Sequence, residues 1–553
     1  MPTYDAFCRT PLVDPAYVAL PDSAVHLEGA LERLVQQALE LVDLNALTPL
    51  DAVLATKLGG YTDLPPMPGL TSAAAALPEN PRAFMDAVRA GLMIASAAKN
   101  KNAMTQVLTA MRAFLDALPN LNEFQLMPVG ADALRTALEL YRRTGQKFLL
   151  TLMERLRAQL PDVSGMFHSF PFQKPFVPEP LAEDAADLNA QYHRRMAMLG
   201  QGTLSADALS ISSALAMFSG SARDASASKA GVAALQRFHG MPHGAFSADP
   251  YLAGRDPARG VTVEAVCAQL EALADLLAAS GEGAYAERME RIAVNALANV
   301  FQGGLVCPDQ TVNRLAGTPA CAAERPAPEV VSALLRAMHA LRRSVWMLHS
   351  DRELAMLIFS EGCCLARMDG VPVRLNVTVA APGTFTIAVE AKQPVEFTLA
   401  LYIPGYADSA TLSVNGAKAQ AVDCGALERV KRTYRSGDTL TVTLDCRPFV
   451  ETGYRGSACV YSGAQLMALP LPDADAAWQY ALDADTGLAL AWENGRPRVQ
   501  VEACAADGWE QRGGVPMPPP QGLAMGVAYE LTLLPYADTL GRIAMFPQAT
   551  ART

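Results

Sequence analysis

The stretch "VEAVCAQLEALADLLAASGEGAYAERMERIAVNALANVF", residues 263–301, reads as two apolar-periodic helices broken at Gly281. A glycine there suits the left-handed residue that closes a helix. The unit is a helical hairpin, and the same pattern recurs on both sides of it. Upstream, "AVHLEGALERLVQQALELVD" (24–43) places Leu27, Leu31, Leu34, Val35, Ala38 and Leu41 on one face. Between them, "RAFMDAVRAGLMIASAAK", "AMTQVLTAMRAFLDAL", "ADALRTALELYRRTG" and "KFLLTLMERLRAQL" repeat the helical period, with Gly145 as another cap. Downstream, "PEVVSALLRAMHALRRSVWM" closes the series near residue 348. Roughly eleven or twelve helices in antiparallel succession predict a helical toroid.

After Trp346 the period changes from helical to two. "VRLNVTVAA", "TFTIAVEA", "VEFTLALYI", "ATLSVNG" and "TLTVTLDC" alternate or run apolar between Gly, Pro and Asn-Gly turns. This predicts an antiparallel β-sandwich. The expected division is a toroid over 1–348 and β-sandwich material over 349–553. Adjacent Cys363 and Cys364, in "EGCCLARMDG" (361–370), fall on the sandwich side. Neighbours in a strand point to opposite faces, so the two are read as small strand residues rather than joint metal ligands.

The chain has 553 residues, of which 51% are hydrophobic and 18% charged, against roughly 25% charged in ordinary soluble domains. Its net charge of −11 and the lack of a basic stripe argue against nucleic acid and anionic membranes. No apolar run reaches the roughly 18 residues of a membrane span. The N-terminus lacks a charged start followed by an apolar run, and the ten cysteines are scattered. Both point to the reduced cytoplasm. A homodimer is compatible with the sequence. No dinucleotide fingerprint or phosphate loop is present.

Several segments together resemble the β-L-arabinofuranosidases of glycoside hydrolase family 127 and their uncharacterised relatives. They are "HGMPHGAFSADPYLAGRDPARG" (239–260), "GEGAYAERMERIAVNALANVF" (281–301), "PDQTVNRL" (308–315), "LYIPGYADSATLSVNG" (401–416), "YRSGDTLTVTL" (434–444) and "YELTLLPYADTLGRIAMFP" (529–547). The resemblance implies an (α/α)6 barrel followed by β-sandwich material, here in a divergent member. In the family's active members a Glu and three Cys bind zinc at the barrel mouth. One Cys attacks the anomeric carbon of a furanoside, and a separate Glu protonates the leaving group.

That machinery is not retained here. The Glu-x-Cys positions fall on Thr262 and Glu264, and the Cys-Cys positions on Glu329 and Val330. Cys267 lies one turn beyond Glu264, and Cys321 is the one thiol available near the second site. No cofactor is therefore expected, although zinc belongs to the family. An acid usual after the Asp of "FSADP" is replaced by Pro250. Asp249, Asp256 and Glu264 remain as candidate catalytic carboxyls. Candidate sugar-binding residues are His243, Phe246, Tyr251, Arg255, Asp309, Gln310, Asn313 and Trp346, with His239 close by. Each taken alone also suits a structural role.

Three readings stay open. One is a glycoside hydrolase-like protein that binds carbohydrate, a furanoside or plant-type oligosaccharide, without the zinc–thiolate centre. Another is an active glycosidase using carboxylates. The last is a structural or interaction protein with a closed barrel mouth. The long connection 239–260 leads to the expectation of one main cleft, lined by residues from 239–264 and 308–314, with Trp346 near the domain junction.

Overall fold

The structure is a computed structural model. It describes residues 4–43, 46–61, 63–77, 79–180, 187–302, 305–306, 310–317, 326–483 and 487–550. Its described helices are α1 (Gly29–Glu40), α2 (Pro49–Leu58), α3 (Leu70–Ala75), α4 (Pro81–Ala97), α5 (Lys101–Ala117), α6 (Glu123–Thr144) and α7 (Phe148–Gln159). They continue with α8 (Val163–His168), α9 (Leu188–Leu199), α10 (Gly202–Ser219), α11 (Ala222–His239), α12 (Val263–Ser280), α13 (Gly283–Ile292) and α14 (Pro328–Val345).

Helices α2, α4, α6, α10, α12 and α14 pack each against the next, and α14 returns to α2. That closed inner ring, with α1, α3, α5, α7, α11 and α13 outside it, is an (α/α)6 toroid. Caps set the helix ends. Thr48, Asn80, Asn100, Asn122, Ser221 and Thr262 each accept a backbone N–H at a helix start. Gly145, Gly220 and Gly281 close α6, α10 and α12 in the left-handed region. Short turns after α4, α6, α10 and α12 return the chain antiparallel along the outside. All inner helices therefore start at one end of the ring, where the long connections 240–262 and 301–327 also arrive.

The sandwich has two sheets. One orders Val18–Ala19, Trp346–Ser350, Glu353–Met356, Val395–Ile403 and Ala426–Tyr434. The other orders Gln420–Val422, Ser409–Val414, Thr439–Asp445, Thr384–Ala391, Val371–Ala381, Gly362–Met368 and Val25–Leu27. All pairs are antiparallel except Glu353–Met356 with Val395–Ile403. Residues before α1, placed with the helical half in the sequence reading, thus give a strand to each sheet. The helical face that included Leu27 begins later, because Val25 and Leu27 are buried strand residues paired with Cys364 and Gly362. Runs this short carry too little period-two pattern to be told from a helix start. Cys364 is buried and Cys363 half-buried, the alternation expected of a strand.

A third, ten-stranded sheet spans residues 448–550 and holds its own core around Trp509, Leu533 and Phe546. Toroid and sandwich instead share one continuous core, from Leu12 to Leu444. A smaller cluster joins the connections at the toroid mouth, through Met241 and Val312, to Tyr461, Tyr536 and Met545 of the last sheet. No described helix is long and apolar enough to cross a membrane.

Candidate functional site: a charged bore

The inner helices send charged side chains toward the ring axis. Asp132 on α6 accepts from Arg135 at 2.5 Å, Arg89 on α4 at 2.7 Å and Arg336 on α14 at 3.2 Å. Arg82 of α4 approaches the same carboxylate at 3.3 Å. Arg336 also donates to Asp86. Arg135 donates to both oxygens of Asp275 on α12, through Nε at 3.1 Å and Nη2 at 2.5 Å. Glu271, one turn earlier on α12, lies 3.8 Å from Arg135. Groups from four different inner helices can meet only in the bore. The set is unevenly buried. The Arg336 and Asp132 side chains keep 5% and 6% exposure, against 27% for Arg135 and Asp275 and 43% for Arg82.

Four arginines here face four carboxylates that are paired with them. Asp207, half-buried in the second turn of α10, is a fifth acid. Burial pushes its carboxyl up to about 7, Asp132 and Glu271 add to the rise, and Arg82 and Arg135 oppose it. Among the described residues no ion pair reaches it. A carboxylic acid that keeps its proton near neutrality is placed beside carboxylates held by arginine. Such divergence in environment is what separates an acid from a base in one site. Sequence reading missed this set. Its members run from Arg82 to Arg336 over five helices, and each looks like an ordinary helix-surface charge.

The sequence-predicted residues do not converge on the bore. Phe246 is buried, and its backbone N–H and C=O are clamped by the Gln269 side chain at 2.8 and 3.1 Å. His243 is fully buried beneath Tyr536, and burial with nearby Arg542 pulls its imidazole down to about 3, so it stays neutral. His239 bridges Phe172 C=O at 2.6 Å and the Gly254 N–H at 2.9 Å. Tyr251 is half-buried, edge-on to Phe176. Gln310 and Asn313 are fully buried. Asn313 accepts from the Ala544 and Met545 N–H groups and donates to Met545 C=O at 2.8 Å. Trp346 is buried at the start of the first sandwich strand, at the domain junction. Arg255 turns toward α13 and the last sheet. Asp309 lies outside the described residues.

Of the candidate acids, Asp249 is paired with Arg259 at 2.5 and 2.7 Å. Asp256 accepts the Ala258 N–H in a local turn at 2.9 Å. Glu264 stands half-buried in the first turn of α12, where the helix dipole favours it. The residues at the family's zinc positions do not fit that metal. Thr262 uses its hydroxyl to cap α12. Glu329 is exposed and Val330 buried. Cys267 is fully buried, and burial, Glu271 and Glu264 push its thiol well above the ordinary range, away from the thiolate a metal needs. Among the described residues no group of three or more His, Cys, Asp or Glu is placed to hold a metal. Cys321 lies outside them.

Residues 353–446 match the β-L-arabinofuranosidase, GH127 middle domain. This segment is most of the sandwich. No curated protein matches the chain in sequence. Among solved structures, one described as a glycoside hydrolase superposes with a TM-score of 0.69 at 13% identity, covering 97% of this chain and 98% of that one. A GH127 β-L-arabinofuranosidase from Geobacillus stearothermophilus T6 gives 0.62 at 14% identity, over 95% and 92%. A further GH127 β-arabinofuranosidase gives 0.56 at 12%, over 98% and 99%. The fold is therefore that of GH127 proteins along the whole chain, and the middle domain is also recognisable in sequence.

Proposed function

We propose that this chain, a divergent relative of the GH127 β-L-arabinofuranosidases, is a glycoside hydrolase-like protein that binds carbohydrate in the bore of its toroid and works through carboxyl groups. The observation that carries this reading is Asp207, set among Arg82, Asp132, Arg135 and Glu271 of the inner helices, with its carboxyl raised to about 7. Up to about pH 7 a large share of Asp207 carries a proton to give to a glycosidic oxygen as its bond to the anomeric carbon breaks. Glu271, on the neighbouring helix, then takes a proton from the attacking water, whose oxygen makes the new bond. Arg135 and Arg82 orient sugar hydroxyls and steady the carboxylates. The zinc–thiolate route has no place in this scheme, because the described residues at its positions are Thr262, Glu264, Glu329 and Val330.

The test is calorimetry and chromogenic hydrolysis with arabinofuranosides and short plant-type oligosaccharides. Binding is expected in the parent protein. Asp207→Asn should cut turnover by about 10²–10⁴ while leaving binding within a few-fold, as loss of a general acid does. Binding without turnover would leave a carbohydrate-binding homologue. No binding at all would favour the interaction-protein reading, which the buried Arg336–Asp86–Asp132 ion pairs also suit.

A further inference from the structure

Outside the ring, α13, the 240–255 connection and the last sheet enclose a cavity of about 390 Å³. The wall of the toroid separates it from the bore. Arg255, Arg288, Arg291, Glu287, Glu451 and Tyr461 line it. Both acids are already occupied. Glu451 accepts from both terminal nitrogens of Arg291 at 3.0–3.1 Å, and that guanidinium lies 4.7 Å from the centroid of the Tyr461 ring. Glu287 accepts from the Gly405 N–H at 2.7 Å and the Tyr402 hydroxyl at 3.3 Å.

Three arginines thus face two acids, which leaves one positive charge in surplus, and Arg288 and Arg255 stand outside the Arg291–Glu451 pair. Arg288 donates only a long 3.4 Å bond to Gly244 C=O, and Arg255 a long 3.4 Å bond to Gly240 C=O. Each guanidinium has five N–H donors, so both keep donor capacity for a ligand in the cavity they line. Among the described residues neither has a carboxylate within ion-pair distance. Burial and the neighbouring Arg291 pull Arg288 down to about 10, against the upward pull of Glu287, Glu451 and Tyr285. A half-buried cation without its own anion is costly, and a bound oxyanion would relieve it. Guanidinium forks match the geometry of carboxylate and phosphate oxygens. The volume is that of a small-molecule site.

We infer that this junction cavity binds the oxyanion of a monosaccharide-sized ligand, such as a uronate or a sugar phosphate, through Arg255 and Arg288. The site is independent of the bore, and its occupant would bridge α13 and the last sheet. The test is titration calorimetry and thermal shift on the full chain with inorganic phosphate, glucose 6-phosphate, D-glucuronate and neutral D-glucose. At least one of the anions should bind and raise the melting temperature, while glucose should not. Phosphate against glucuronate tells which oxyanion is preferred. Arg288→Gln and Arg255→Gln should each weaken that binding roughly tenfold or more. Both arginines lie outside the bore, so their effect keeps this result apart from any binding there. If Arg288→Gln does not fold, Arg255→Gln decides alone. Absence of binding by every anion, equal binding of glucose, or unweakened binding in the folded arginine variants would overturn the inference.

Discussion

At Asp207 a single residue shows how position sets chemistry. The same side chain on an exposed helix face would ionise near the ordinary 3.8, but in the bore its carboxyl is raised to about 7. Between those values the folded protein holds a proton that the unfolded chain releases. Stability contributed by this group is therefore greatest below about pH 4 and is lost as the pH rises through about 7. Asp132 and Glu271 push in this direction, and Arg82 and Arg135 oppose it. Asp207→Asn stays neutral at every pH. Its melting temperature should match the parent's near pH 4 and exceed it at pH 8. Glu290, raised to about 7 under Tyr406, has the same sign, so the variant should still decline with pH, only less steeply. Equal pH profiles for parent and variant would show that Asp207 does not hold its proton. Nothing adjacent in sequence to Asp207 marks it, since all four charged groups that act on it come from other helices.

The α12–α13 hairpin makes the corresponding point for an element. Its helices and the Gly281 cap were legible, because the apolar period breaks at a glycine, and that glycine has φ +75°. Gly283, two residues on, has a different reason. A Cβ there would stand 2.1 Å from the Tyr402 ring, on a sandwich strand more than a hundred residues away. Gly281→Ala should cost about 1 kcal/mol, the strain of a left-handed alanine. Gly283→Ala should cost more, about 1–3 kcal/mol, because the buried Tyr402 must move. Urea denaturation of the two variants checks the order, and equal losses would mean that Tyr402 yields freely. The connection 239–260 was expected to be ordered and to line a cleft. It is ordered, but its aromatic and histidine side chains mostly turn inward. The Gln269 and His239 side chains hold its backbone, and only Arg255 of the proposed binders lines the junction cavity.

In the whole molecule the last sheet is attached differently from the sandwich. The sandwich shares its core with the toroid, whereas the last sheet keeps its own and meets the toroid through a small cluster and buried amides. Asn295 donates to Ala464 C=O at 2.9 Å and accepts the Leu466 N–H at 2.9 Å. Asn299 donates to the Tyr536 and Thr539 carbonyls. Asn313 holds Ala544 and Met545. Asn313→Ala leaves three buried backbone groups without that partner and should destabilise the attachment by about 1–3 kcal/mol. Limited proteolysis should then cut in or before the last sheet first, while the toroid and sandwich stay intact. Simultaneous loss of both parts would show that the molecule unfolds as one unit.

Periodicity alone determined the toroid, the change to strands after Trp346 and the helix ends at glycine, because each is a local rule acting over one or two turns of chain. The resemblance in the motifs was enough to find the GH127 fold, which the middle-domain match and the full-length superpositions bear out. Only the tertiary structure decided which strands the N-terminus supplies, which of two nearby glycines is sterically required, and where charge collects. Ring closure brings Arg82, Asp132, Asp207, Glu271 and Arg336 together from five helices, and the packing of the last sheet against α13 leaves Arg255 and Arg288 facing one cavity. The energy of a buried charge depends on neighbours distant in sequence, and no window along the chain contains them.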